Sequence, residues 1–264
     1  MGEIKIEFAV QMSGPGCAQR VSKSLEGVGN VRIDPDLGRV IVNTKVPWCE
    51  VQDRIEKTGR RAVLSGFGGQ SAVAMIGDGH QSIKGVVRFS AIDNQSDGCV
   101  VDGVVDGLSP GLHGIHVHEC GDLSEGCESV GEHYNPRSSP HGGPNDPPDS
   151  RHAGDLGNIR AGNDGRATFR FIDPILNVSE IIGRSVVLTE NADDLGKGGH
   201  EKSPVDGNSG RRLACGIIAR SAGILQNYKK ICACDGVTIW DERDKPLAGG
   251  NRSVKTPSNQ NGKL

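Results

Sequence analysis

Gly111-Leu-His-Gly-Ile-His-Val-His-Glu119 sets the character of the middle of the chain. Gly114–His118 is a short strand-like run, and side chains two apart in a strand project to the same face. His116 and His118 therefore present two imidazoles together. His133, His141, His152 and Asp155 follow along the polar stretch that begins at Glu119. Six of the eight histidines fall between His113 and His152, with the spacing H-x-H…H-x7-H-x10-H-x2-D. That density argues against unrelated surface histidines. Three imidazole nitrogens and one carboxylate oxygen make a closed tetrahedral zinc set, and zinc held there would pin the loop by adding to the folding energy. Imidazole also suits copper, so the residues alone leave both metals open.

Outward from this centre the texture is β. Ala72–Ile76, Ile83–Ser90, Val100–Gly107, Ala167–Phe171 and Ser185–Thr189 are further short runs divided by Gly, Asp, Asn and Pro. Regular short strands with turn signals predict a sandwich or barrel. Two long polar loops, about 119–154 and 191–210, interrupt it, and loops of that length in a compact domain usually serve function. Residues 3–65 read differently. Ile4, Ile6, Phe8 and Val10 alternate as in a half-buried strand. Cys17, Val21, Leu25 and Val28 fit one helix face. Val31–Asp34 and Arg39–Thr44 are strands around a turn at Pro35–Gly38. A second helix follows from Pro47 to Gly59 with Val51 and Ile55, and Arg61–Leu64 is a last strand. The order β-α-β-β-α-β is ferredoxin-like. A glycine-rich joint, 65–71, separates the two parts. Beyond Ala222 the remaining stretch is too short for an independent core, and 251–264 is expected to be disordered. The predicted domains are 1–66, 72–222 and 223–264.

Of 264 residues only 3 % are aromatic while 39 are glycine, which favours a turn-rich β body over a helical bundle. A net charge of −3 with mixed signs lacks the basic stripe of a nucleic-acid binder. No apolar run is long enough to span a bilayer, and Met1–Val10 has no apolar signal core. The expected compartment is the cytosol, with the mitochondrial intermembrane space as a second location. Eight cysteines in a reducing compartment point to metal or redox work rather than a disulfide scaffold.

Gly111–Glu119, Gly131-Glu-His-Tyr-Asn-Pro, His141-Gly-Gly-Pro, Arg151-His-Ala-Gly-Asp-Leu-Gly-Asn, Ala192-Asp-Asp-Leu-Gly-Lys-Gly-Gly and Arg212-Leu-Ala-Cys-Gly together resemble the Cu,Zn superoxide dismutase family over about 72–222. The resemblance implies an eight-stranded Greek-key barrel. It implies zinc on His133, His141, His152 and Asp155, with His133 bridging to a copper position at His116 and His118. By the same match Asp193 orients ligand imidazoles, Arg212 guides the anion, and Cys127 and Cys215 form a disulfide. In the chain-entropy view that bond is worth on the order of 4–5 kcal/mol. The family's fourth copper histidine, just before Glu-x-Ala-Asp-Asp-Leu, is replaced by Thr189. A hydroxyl is a poor copper ligand, so the barrel is expected to hold zinc without a competent copper site. A divergent dismutase with accessory domains is the competing reading, and the retained Arg212 favours it.

Ile231-Cys-Ala-Cys-Asp235 lies near the C-terminus. Two cysteines at i and i+2 in extended chain put both sulfurs on one side, which suits the soft ion Cu(I). A disulfide between them would be strained and readily exchanged. Lys229 and Lys230 favour the thiolates. Following a dismutase-like domain, Cys232-Ala-Cys-Asp-Gly-Val-Thr-Ile-Trp-Asp-Glu-Arg resembles the tail of the copper chaperones for superoxide dismutase, and the N-terminal unit resembles their first domain. The resemblance implies a non-enzymatic carrier that delivers Cu(I) from Cys232 and Cys234 to the dismutase and promotes its disulfide. It implies docking through the barrel as a heterodimer, at a surface near Cys120–Asp122 and Ile182–Gly183. A homodimer is left open as the resting state. The first domain departs from the pattern. Where these chaperones carry Met-x-Cys-x-x-Cys, this chain has Met12-Ser-Gly-Pro-Gly-Cys17, with Gly14 in place of the first cysteine. Cys17 is then either a weakened copper ligand or an ordinary residue at a helix start. Cys49, Cys99 and Cys120 are read as incidental thiols.

Overall fold

The computed structural model describes residues 3–79, 82–92, 98–227, 238 and 240. Cys232, Cys234, Lys229, Lys230 and 251–264 lie outside the described residues.

The first unit runs β1 (Ile4–Val10), α1 (Pro15–Ser24), β2 (Gly29–Asp34), β3 (Arg39–Thr44), α2 (Trp48–Glu56), β4 (Ala62–Phe67). Its antiparallel sheet has the order β2-β3-β1-β4, the ferredoxin-like arrangement expected from the alternation. Ile4, Ile6, Phe8 and Val10 all turn into the core, where Val21, Leu25, Val51 and Ile55 meet them from the helices. Pro15 begins α1, where its fixed φ fits the first turn and its missing N–H costs nothing. The turn before β3 needs a left-handed residue, and Gly38 supplies it at φ 62°, where a side chain would collide with the Val10 carbonyl.

The second unit contains β5 (Ser71–Ile76), β6 (Asp78–Gly79), β7 (Lys84–Ala91), β8 (Cys99–Asp106), β9 (Gly111–His118), β10 (Asp155–Ala161), β11 (Ala167–Asp173), α3 (Val178–Ile181), β12 (Ser185–Thr189), α4 (Ser203–Asp206) and β13 (Arg212–Arg220). Eight strands follow the order β10-β9-β12-β13-β5-β7-β8-β11, with the short β6 beside β13. The end strands β10 and β11 approach one another, nearly closing the barrel. Val87, Phe89, Val101, Ile115, Val117, Val186 and Leu188 fill it.

Three features differ from the sequence reading. β10 carries Asp155, Gly157 and Asn158, residues that favour turns, and Arg212–Arg220 does not alternate cleanly; both are nevertheless strands, because neighbouring strands complete their ladders. The joint is also shorter than 65–71. β4 continues through Phe67 and β5 begins at Ser71, leaving three residues between sheets. Finally, Gly223 pairs with Phe67 in parallel, and the Leu225 N–H donates to Glu7 Oε2 at 2.6 Å. The chain leaving the barrel thus returns to the first unit. Among the described residues no helix is long and apolar enough to cross a membrane.

Candidate metal centre

β9 is the spine of the site. It lies between β10 and β12, with His116 opposite Asp155 on one side and Val187 on the other. Alternation sends His116 and His118 to one face, and both are buried. The loop after β9 is stitched back onto it: the Tyr134 N–H donates to Val117 O at 2.8 Å, and Val117 N–H to Gly154 O at 2.9 Å. A side-chain carbon at Gly154 would sit 2.2 Å from Val117 O, so only glycine allows this approach. His133, at an isolated bridge opposite His118, is thereby set between the two groups of ligands.

His133, His141, His152 and Asp155 converge with one ligand atom each within 4.8 Å of the others, all buried. Asp155 Oδ1 lies 2.8 Å from His133 Nδ1, 3.1 Å from His141 Nδ1 and 3.1 Å from His152 Nδ1. Its other oxygen accepts from the backbone N–H groups of Gly142 and His152. His116, His118 and His133 form a second cluster on the same criterion, and the rings of His116 and His133 stack at 4.1 Å. His116 Nδ1 and His118 Nε2 are buried without a hydrogen-bond partner. An orphaned nitrogen pair in a polar pocket fits an absent cation. Asp193 spans the clusters, 2.9 Å from His116 Nε2 and 2.8 Å from His141 Nε2. Such a carboxylate fixes ring orientation and tautomer on both sides.

The electrostatics suit metal binding, which needs neutral imidazoles and ionised carboxylates. Burial, reinforced by His116, pushes His133 down to about 3, and burial takes His118 well below the usual histidine range. Burial opposes ionisation of Asp155, but hydrogen bonds from His133, His141 and His152 overcome it and hold the carboxyl far below its usual range. Asp193 is likewise lowered to about 2 by His116 and His141 against its burial. His141 is the exception. Burial disfavours its charged form, yet the two carboxylates raise it to about 9.

At the position where the resemblance implies a fourth copper histidine, the chain has Thr189. Thr189 is buried at the end of β12, and its hydroxyl donates to Asn191 O at 3.3 Å. His113, the sixth histidine of the cluster, is no ligand; its Nδ1 lies 2.9 Å from Thr189 O and its Nε2 2.9 Å from Ser109 O. Arg212 donates to Gly131 O at 2.8 Å and Cys127 O at 3.0 Å, beside the Cys127–Cys215 disulfide, whose Cα atoms are 5.7 Å apart. Gly121 packs on Gly183, next to exposed Ile217, so Cys120–Asp122 and Ile182–Gly183 share one surface.

Arg151, to which the sequence pattern assigns no role, is the largest fully buried side chain among the described residues. It pairs with buried Asp173 and donates to Pro144 O at 2.8 Å and His152 O at 3.1 Å. Its place beside His152 was the available signal. In the first unit, Cys17 is buried at the start of α1, 3.3 Å from Ser13 Oγ and 3.8 Å from an Arg20 nitrogen. Hydrogen bonds from Ser13, with help from Arg60, lower its thiol to about 6.

Comparison with known proteins agrees with this geometry. Residues 83–218 match the copper/zinc superoxide dismutase family, and residues 7–61 match the heavy-metal-associated domain. A solved structure described as the clock protein EA4 superposes on 56 % of this chain and 93 % of its own, with a TM-score of 0.53 and 41 % identity. The copper chaperone for superoxide dismutase of Mus musculus is 53 % identical over 94 % of this chain and 92 % of its own length. The Homo sapiens protein of that name is 52 % identical over the same shares. Fold and site thus define a protein with a Cu,Zn superoxide dismutase barrel joined to a heavy-metal-associated domain. The chain belongs to the family of copper chaperones for superoxide dismutase.

Proposed function

We propose that this protein carries Cu(I) to a Cu,Zn superoxide dismutase and promotes formation of that enzyme's intrasubunit disulfide. The observation that supports the reading is Thr189, buried at the position where the dismutase resemblance implies a fourth copper histidine, in a barrel where His133, His141, His152 and Asp155 converge. His133, His141, His152 and Asp155 would hold zinc, which would tie the long loop to β9. Asp193 orients His116 and His141. Three histidines without a fourth hold copper too poorly for both redox states, so the barrel serves as a docking module and not as a dismutase. Its docking surface is the one around Gly121 and Gly183, rimmed by Ile217, and the complex is a heterodimer. A homodimer is the alternative resting state.

Cys232 and Cys234 carry the cargo. As thiolates they hand Cu(I) to the partner's histidines. Once a disulfide-donating oxidant has converted the pair to a disulfide, one thiolate of the partner attacks it, giving a mixed disulfide and releasing the other tail cysteine as a thiolate. The partner's second thiolate then resolves it, so the partner is oxidised as the tail pair is reduced. Cys17 keeps a thiolate at neutral pH but lacks a second cysteine at Gly14, which leaves the main copper load to the tail. The three parts are then a heavy-metal-associated-like domain at 1–66, docking at 72–222 and transfer at 223–264, with the cytosol as the proposed compartment and the intermembrane space as a second.

The test is activation of a copper-free, disulfide-reduced superoxide dismutase by the Cu(I)-loaded protein. Dismutase activity is expected only in the mixture and should vanish with Cys232→Ser and Cys234→Ser together. Full activation by that double variant would overturn the assignment.

A further inference from the structure

The two folded units are joined through charge as well as through apolar packing. Arg88 on β7, Asp102 on β8 and Arg170 on β11 are register neighbours across three adjacent strands. Their chain neighbours Val87, Phe89, Val101 and Phe171 pack in the barrel core, so alternation sends this row to the outer face. There it is covered: the side chains of Arg170 and Asp102 are only 4 % and 2 % exposed. Val100, Ile92 and Ile172 beside them belong to the hydrophobic cluster of the first unit.

The row grips one point of that unit. Arg170 donates to Val46 O at 2.9 Å and Thr44 O at 3.2 Å, and pairs with Asp102 at 3.1 Å. Asp102 accepts the N–H of Trp48, the first residue of α2, at 3.3 Å. α2 begins after Pro47 without a side-chain cap of its own, so a carboxylate from the other unit supplies the negative charge that a helix N-terminus favours. The Arg88 guanidinium lies 4.3 Å from the centre of the Trp48 ring, a cation–π distance.

This grip has a direction. β1 runs antiparallel to both β3 and β4. The end of β3, where the row holds Thr44–Trp48, therefore lies at the pole opposite the end of β1. At that far pole Val10 pairs with Ala62, Gln11 N–H donates to Arg61 O, and Cys17 follows at the start of α1.

We propose that Arg88, Asp102 and Arg170 form an interdomain latch that positions the heavy-metal-associated domain on the barrel, with the Cys17 pole turned away from it, so that the two move as one body. The three are positioning residues, and the idea stands independently of the copper reading.

The latch can be tested without copper. Trp48 and Trp240 are the chain's two tryptophans, so in a full-length, zinc-loaded Trp240→Phe background Trp48 reports the interface alone. Asp102→Asn keeps the shape of the row but removes the anion that pairs with Arg170 and lies opposite Arg88 in the register. Arg170→Gln removes the clasp on the two carbonyls while leaving Asp102 beside Arg88, and serves if the first variant folds poorly. Losing one partner of a buried pair should shift the docking equilibrium on the order of 10²–10³-fold. The expected result is Trp48 emission shifted to the red and open to acrylamide. Amide relaxation should give the first domain its own, shorter correlation time, while far-UV dichroism and zinc content stay unchanged. Unaltered quenching and a single correlation time for both units in either variant would overturn the proposal.

Discussion

Arg151→Met is the sharpest test of how the metal loop is held. The native guanidinium is fully buried, pairs with equally buried Asp173, and satisfies the carbonyls of Pro144, His152 and, at 3.4 Å, Ala153. Asp173 in turn accepts the N–H groups of Ile175 and Leu176. Methionine fills much of the volume but leaves Asp173 as an unpaired buried charge, at a cost of about 3–5 kcal/mol. For a chain of this size that lowers Tm by about 6–20 °C. Because Arg151 also fixes the backbone on both sides of the His152 side chain, zinc affinity should fall by about 10–100-fold. Calorimetry of the zinc-saturated protein and competition with a chelator measure the two effects. Arg151→Met with Asp173→Asn removes both charges, so its cost should be clearly below the sum of the single costs. A Tm loss under about 3 °C for Arg151→Met, or simple additivity in the double variant, would show that the Arg151–Asp173 pair does not hold the loop.

Other outcomes follow from the same structure. Replacing Cys127 and Cys215 with serine opens a loop of 88 residues and should cost about 4–5 kcal/mol in the chain-entropy view, read by urea unfolding against the oxidised protein. Asp155→Asn weakens the atom around which three histidines converge, so zinc content after dialysis should fall well below that of the parent. Cys17 should be alkylated by iodoacetamide with a half-maximal rate near pH 6, and Ser13→Ala should move that midpoint upward, as peptide-resolved mass spectrometry would show. Since its folded value is depressed, the Cys17 thiolate favours the native state fully above about pH 9. That contribution is lost as the pH falls towards 6. Cys49, pushed up to about 11 chiefly by burial and also by Asp102, should stay slow throughout.

The convergence of the histidines was legible because it is written in short spacings: two imidazoles on one strand face, and three imidazoles and a carboxylate within 133–155. The ferredoxin-like unit was legible from the alternation of Ile4, Ile6, Phe8 and Val10. What could not be read were interactions between distant segments. β10 has turn residues in a strand because β9 and the metal loop hold it there. Arg151 and Asp173 are 22 residues apart and each looks like an ordinary surface charge. The row Arg88, Asp102 and Arg170 is polar on a face that alternation alone assigns to solvent, and only the docked first unit explains its burial.

The most direct measurement is the dismutase activity of this protein alone, saturated with zinc and copper, beside its Thr189→His variant. Negligible activity is expected for the parent, in which the Thr189 hydroxyl donates to Asn191 O, and a marked gain is expected for Thr189→His. Strong activity in the parent, unchanged by Thr189→His, would contradict this and make the barrel an enzyme.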